Sequence, residues 1–120
     1  MRPERLRISA FGPYAGQEDL DFSALGNHTL FLICGPTGAG KSTILDAMCY
    51  ALYGKTSGAV RSGEDLRSNY VGYDRKTYVE FDFAIGDRHY RIYRSPTQLL
   101  ERQKKDRSRP VEHKGKADFY

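Results

Sequence analysis

Nine consecutive residues, Gly35-Pro36-Thr37-Gly38-Ala39-Gly40-Lys41-Ser42-Thr43, constrain this chain more than any other feature of it. Gly35-x4-Gly40-Lys41-Ser42 has the form of a phosphate-binding loop, the Walker A pattern. Its glycines let the backbone curl so that successive N–H groups point inward at phosphate oxygens, where side chains would block the approach. Lys41 carries a mobile positive charge to the outer phosphates. The Ser42 hydroxyl is a hard oxygen ligand suited to Mg2+. Such a loop needs a strand before it and a helix after it, and the flanking sequence supplies both. Thr29-Leu30-Phe31-Leu32-Ile33-Cys34 is short and apolar on both faces, as a central strand covered on two sides would be. From Ser42 onward, Ile44, Leu45, Met48, Ala51 and Leu52 fall at helical spacing over about three turns. Gly54 then stands where a left-handed cap would end the helix. The positive end of that helix is aimed at the same phosphates. A glycine-rich turn with a chance Lys-Ser would have no such frame.

The rest of the chain reads as antiparallel hairpins. Arg5 to Phe11 alternates, with Leu6, Ile8 and Ala10 on one face; a Gly12-Pro13-Tyr14-Ala15-Gly16 turn follows. Gln17 to Phe22 alternates again, with Leu20 and Phe22 together, which predicts a first hairpin. Residues 54–76 read as loop, with one helical turn near Glu64-Asp65-Leu66-Arg67. Thr77 to Ile85 places Val79, Phe81, Phe83 and Ile85 on one side, Gly86-Asp87 makes a two-residue turn, and Arg88 to Arg94 returns with Tyr90 and Ile92 inward. Residues 96–110 are polar and basic between Pro96 and Pro110, and Ala117 to Tyr120 reads as a short strand.

Composition narrows the class. A chain of 120 residues with 39% hydrophobic and 28% charged residues suits one globular domain. No apolar run approaches the length of a membrane span, and Met1 is followed by Arg2-Pro3-Glu4-Arg5, which does not fit a secretory signal. Cys34 and Cys49 lack metal-ligand spacing and read as free, buried thiols of a cytoplasmic protein. His28, His89 and His113 are scattered and read as surface residues. The net charge of +4 is uneven: residues 1–87 hold nine basic and eleven acidic side chains, residues 88–120 ten and four. A basic final quarter suits either a polyanion partner or a solvated surface.

Position in the chain then separates the phosphate-loop classes. Small nucleotide kinases place the loop after the first strand and continue with helices and parallel strands. Here a hairpin precedes it and another follows, which leaves little room for an acceptor pocket and lid. The expected fold is therefore α/β, a P-loop NTPase of the ABC type, with a mixed sheet, antiparallel hairpins and one main helix behind the loop. The inner spacing Gly35-x-x-Gly38-x-Gly40-Lys41-Ser42 agrees with that. Ala10-Phe11-Gly12-Pro13-Tyr14, Leu20-Asp21-Phe22, the run Leu32 to Met48 and Tyr50-Ala51-Leu52-Tyr53-Gly54 together resemble the N-terminus of the SbcC family. Ser62-Gly63-Glu64-Asp65-Leu66-Arg67-Ser68 and Tyr78-Val79-Glu80-Phe81-Asp82-Phe83 continue the resemblance. That family is the ATPase subunit of the SbcCD exonuclease, in the SMC-like branch of ABC ATPases.

The resemblance implies an ATP- and Mg2+-binding half-head, residues 1–120, truncated before the Q-loop and a long coiled coil. The implied partners are a C-terminal half-head, a second head in a homodimer, an SbcD-like nuclease and double-stranded DNA. Gly35 to Thr43 would hold the nucleotide, with Lys41 catalytic and Ser42 on the metal. The Walker B acids and the signature motif are absent from this chain, so the resemblance implies ATP hydrolysis by a full-length protein and little turnover by residues 1–120 alone. A clamp ATPase of the SMC, RecF or RecN kind is the alternative; the Phe11-Gly12-Pro13-Tyr14 turn and the Tyr50 to Gly54 ending lean to SbcC. Relatives outside SbcC often carry an arginine where Tyr14 stands, so no base contact is expected of Tyr14. Arg61 and Arg67 lie where family loops approach nucleotide or DNA, against a plain salt-bridge reading. Asp46 reads equally as a carboxylate complementing the helix dipole. The stretch Arg102-Gln103-Lys104-Lys105-Asp106-Arg107-Ser108-Arg109 suits either DNA phosphates or a solvated insertion.

Overall fold

The computed structural model describes residues 1–26, 32–36, 40–55, 67–68, 70–72, 74–100 and 111–120. Alternating sequence becomes strand as expected. β1 (Arg2–Phe11) and β2 (Tyr14–Asp21) form the first hairpin, followed by a 3-10 turn at Phe22–Leu25. A single α-helix among the described residues, α1 (Lys41–Tyr53), comes next, and then the hairpin of β3 (Tyr78–Ile85) and β4 (Arg88–Ser95). Gly86 opens the intervening two-residue turn with a φ of 59°. β5 (Gln98–Leu100) and β6 (Val111–His113) pair as a separate ribbon, and β7 (Lys116–Phe119) adds to β4. The main sheet runs β2-β1-β3-β4-β7.

Every described strand pairing is antiparallel, so the described sheet is not the expected mixed one. Parallel pairing needs crossover connections, and the described residues contain one helix. The expected strand over 29–34 is likewise not seen where it can be followed. Leu32–Pro36 lies outside any strand, and the Leu32 side chain is 83% exposed. A strand apolar on both faces requires two covering layers; among the described residues the apolar face of the sheet is already taken by α1. For the same reason Cys34 is exposed; Cys49, on α1, is half-buried, and both are free, where the sequence predicts buried thiols.

The core lies between α1 and one face of the sheet. Leu6, Ile8 and Phe11 of β1, Val79, Phe81 and Phe83 of β3, and Ile92 of β4 meet Ala47, Tyr50 and Ala51 of the helix. Ile44, Met48 and Leu52 flank them as their spacing predicts, whereas Leu45 faces solvent. The small Ala47 and Ala51 let the helix approach closely, and the Tyr50 ring lies 6.1 Å from that of Phe11. α1 ends as expected: Gly54 takes φ 73°, and its N–H donates to the Tyr50 carbonyl at 2.8 Å. Arg94 of β4 adds a second stop, donating to the Ala51 carbonyl at 3.1 Å with its guanidinium over the Tyr50 ring.

The opposite face carries charge. Arg5 donates to Asp19, Arg7 reaches both Asp19 and Glu80, and Arg91 pairs with Asp82 through two bonds of 2.7 and 2.8 Å. The Arg5 hydrogen bond holds the Asp19 carboxyl below the usual carboxylate range. Glutamine, glutamate and aspartate at positions 17–19 also line the outer strand β2 and discourage further strand pairing there.

β1 breaks its alternation near its end. Its register shifts between Ser9 and Phe11, and Ala10 takes a φ of 48°, the one non-glycine positive φ among the described residues. This bulge turns Phe11 into the core, although simple alternation puts it opposite Ala10. The displaced Ala10 carbonyl accepts from both the Ser68 N–H and the Thr77 hydroxyl, each at 2.8 Å. Thr77 is in turn held by Gln98, whose Oε1 accepts the Thr77 N–H at 2.7 Å and whose Nε2 donates to the Thr77 carbonyl at 2.9 Å. Arg67 completes the cluster, donating to Gln98 Oε1, the Thr77 hydroxyl and the carbonyls of Gly72 and Arg75. Arg67 is thus committed to holding its own loop, and it pairs with Phe11 in a β-bridge rather than closing a helical turn. The remainder of that expected turn, with Arg61, falls outside the described residues.

Two predictions arise here. Gln98→Ala leaves the buried Thr77 amide and carbonyl without partners and should destabilise the chain by about 1–3 kcal/mol in urea unfolding; a change below about 0.5 kcal/mol would show that the amide is no support. Burial pushes the Tyr50 hydroxyl up from 10.0 to about 12. The unfolded chain releases this proton near pH 10 and the folded chain only near 12, so the associated stability is intact below about pH 10 and is lost as pH rises toward 12. Thermal melts across that range should show a shallower alkaline decline for Tyr50→Phe than for the unsubstituted chain.

Candidate functional site

The glycine-lysine motif lies where the first hairpin meets the start of α1. Gly40 is the residue before the helix and takes the left-handed conformation, φ 91° and ψ 17°. A side chain there would be strained by the backbone alone. Space excludes it as well: a Cβ would fall 2.5 Å from the Tyr14 hydroxyl and 2.8 Å from its ring. Gly12, at φ 55°, sits just as closely on the helix, since a Cβ there would meet Thr43 Cγ2 at 3.0 Å. The turn between β1 and β2 therefore rests on the first turn of α1 at two points.

Lys41 opens the helix and donates from Nζ to the Gly35 carbonyl, bridging the two ends of the motif. Gly35 and Pro36 are exposed, as is Ser42 beyond the lysine. Thr43 is buried, its side chain against the Gly12 turn. Thr37, Gly38 and Ala39 lie outside the described residues. Among the described residues no side chain caps the N-terminus of α1, and its first turn holds no acid. The uncapped N–H groups and the helix dipole leave this end receptive to an anion. Asp46 lies in the second turn, away from that end.

These features fit a triphosphate with its metal: uncapped N–H groups at the start of α1, an ammonium beside the Gly35 carbonyl and an exposed hydroxyl on the next residue. Among the described residues no group of three or more His, Cys, Asp or Glu is placed to hold a metal by itself. His89 is a surface residue paired with Glu4 at 2.8 Å; the side chains of His28 and His113 are outside the described set, as is the basic run 102–109. A separate shallow cavity of about 670 Å3 opens on the charged face beside Glu80, Asp82 and Arg91, whose charges are already paired with one another. The residue that motif reading misses is Tyr14. Nothing in its spacing marks it; only the fold brings it to Gly40, where its hydroxyl donates to the Gly40 carbonyl at 3.1 Å.

Comparison with known proteins places the chain in a family. Residues 5–118 match the family described as AAA domain. The chain is 49% identical over 104 residues to the SbcC subunit of the nuclease SbcCD of Vibrio cholerae, a match covering 87% of this chain and 10% of that protein. It is 42% identical over 101 residues to the SbcC subunit of the nuclease SbcCD of Staphylococcus aureus, covering 84% and 10% respectively. The chain thus spans about a tenth of the length of these curated relatives. With its antiparallel sheet, single described helix and glycine-lysine junction, the chain belongs to the AAA domain family and is similar to the SbcC subunits of SbcCD nucleases.

Proposed function

We propose that this chain is the ATP-binding N-terminal segment of the ATPase subunit of an SbcCD-type nuclease, with the P-loop fold of an ABC-type half-head. The observation that carries the reading is the junction of Gly40 and Lys41: a left-handed glycine pressed against Tyr14, followed by a lysine whose ammonium reaches back to Gly35. In this reading the main-chain N–H groups from Gly35 to Thr43 hold the phosphates. Lys41 moves its ammonium from the Gly35 carbonyl to the outer phosphates, and the Ser42 hydroxyl is one ligand of Mg2+. The bound nucleotide and metal supply the phosphoryl group and neutralise its charge during transfer.

The chain offers no apolar run ending in paired acids to hold the metal from a second side or to orient a water. Residues 1–120 alone therefore bind nucleotide and turn it over poorly. The complementary groups belong to a C-terminal half-head of the same protein and to a second head. On this reading ATP binding brings two heads together and controls an SbcD-like partner nuclease acting on double-stranded DNA ends in repair, in the cytoplasm. No helix among the described residues is long and apolar enough to cross a membrane. The basic run 102–109 is where DNA phosphates would be met without sequence readout.

Calorimetric titration with MgATP tests the reading. The unsubstituted chain should take up nucleotide, and Lys41→Ala should weaken uptake roughly ten- to a hundredfold, the loss expected for a charge-assisted hydrogen bond. Equal uptake by both chains would show that the motif is not a phosphate site.

A further inference from the structure

The contact between Tyr14 and Gly40 joins two parts of the chain that are 26 residues apart, and it falls on one particular peptide group. The Gly40 carbonyl belongs to the same planar unit as the Lys41 N–H. In a trans peptide the two point in opposite directions, and no cis peptide bond occurs among the described residues. Gly40 precedes the first residue of α1, so its carbonyl also accepts the first intrahelical bond; the Tyr14 hydroxyl is a second donor that steadies this peptide, with the Lys41 N–H facing away from the helix. Accepting a hydrogen bond at the carbonyl also polarises the amide and makes its N–H a stronger donor.

The surroundings keep that contact in place. The Tyr14 ring packs against the core, as Leu20 and Phe22 do, so it is held by more than its hydroxyl. Burial, with Glu18 nearby, pushes the phenol above its ordinary pKa. The same ring fills the space that a Cβ on Gly40 would need. Glycine at position 40 thus answers to Tyr14 as well as to its own left-handed backbone.

We infer that Tyr14 is a positioning residue of the candidate site: its hydroxyl steadies the Gly40–Lys41 peptide at the start of α1 and so the aim of the Lys41 N–H at a bound phosphate. This inference rests on the nucleotide-binding reading above and extends it to a residue outside the motif.

Tyr14→Phe is the direct test, because it keeps the ring in the core and removes the donor. MgATP affinity should fall about three- to tenfold, as for the loss of one neutral hydrogen bond. In 1H–15N spectra of the nucleotide-free chain the Lys41 amide should move, while amides from Ala47 to Tyr53 stay in place. A general displacement of α1 amides would mean that the hydroxyl merely supports the fold, and would overturn the inference. If the unsubstituted chain binds MgATP, Lys41→Ala binds it much more weakly and Tyr14→Phe binds as tightly as the unsubstituted chain, the Tyr14 inference alone falls. If the unsubstituted chain takes up no MgATP, the phosphate-loop reading falls and takes this inference with it.

Discussion

The left-handed turn of β1 at Ala10 is the constraint on which the surrounding structure depends. A strand that continued its regular pleat would carry Phe11 to the polar face and leave the helix without its partner for Tyr50. The bulge instead sends Phe11 inward and turns the Ala10 carbonyl out of the ladder. A buried carbonyl without partners is costly. Ser68 and Thr77 supply two donors, and the loop that carries them is held by Arg67 and Gln98. Two residues beyond the bulge, the Gly12-Pro13 turn brings Tyr14 back over the start of α1. One backbone irregularity therefore organises the core, the crossing loop and the approach to the glycine-lysine motif.

Those elements differ in how far the sequence announces them. Strands with one buried face advertise themselves by alternation, and Val79, Phe81 and Phe83 take the positions their spacing predicts. The helix is equally legible, because Gly54 marks its end and Ile44, Met48 and Leu52 its apolar flank. Ala47 and Tyr50 are harder to see: alanine is weakly hydrophobic and tyrosine ambiguous, yet both lie at the centre of the interface. The Ala10 bulge has no glycine to signal it. Gln98 sits in a stretch that reads as polar loop, and its burial follows from hydrogen bonds that only the folded chain brings together.

The apolar run around Leu32 shows the reverse relation. Its composition speaks of burial on two sides, and the described part lies open. Periodicity records what a segment is suited to contact; it does not say that the contact lies within the same 120 residues. Of the candidate site, residue types and order are visible in sequence, since backbone cradles for phosphate demand glycine at fixed intervals. The hydroxyl that meets the Gly40 carbonyl is not, because the distance between Tyr14 and Gly40 exists only in three dimensions.

The attachment of α1 at its two ends has a mechanical consequence. Tyr14 grips the peptide before its first residue, and Arg94 grips the Ala51 carbonyl near its last. Those grips come from β2 and from β4, on either side of β1 and β3. A strut bolted at both ends to one plate cannot slide along it. A displacement at the lysine end is therefore shared with the hairpins through these contacts as well as along the helix.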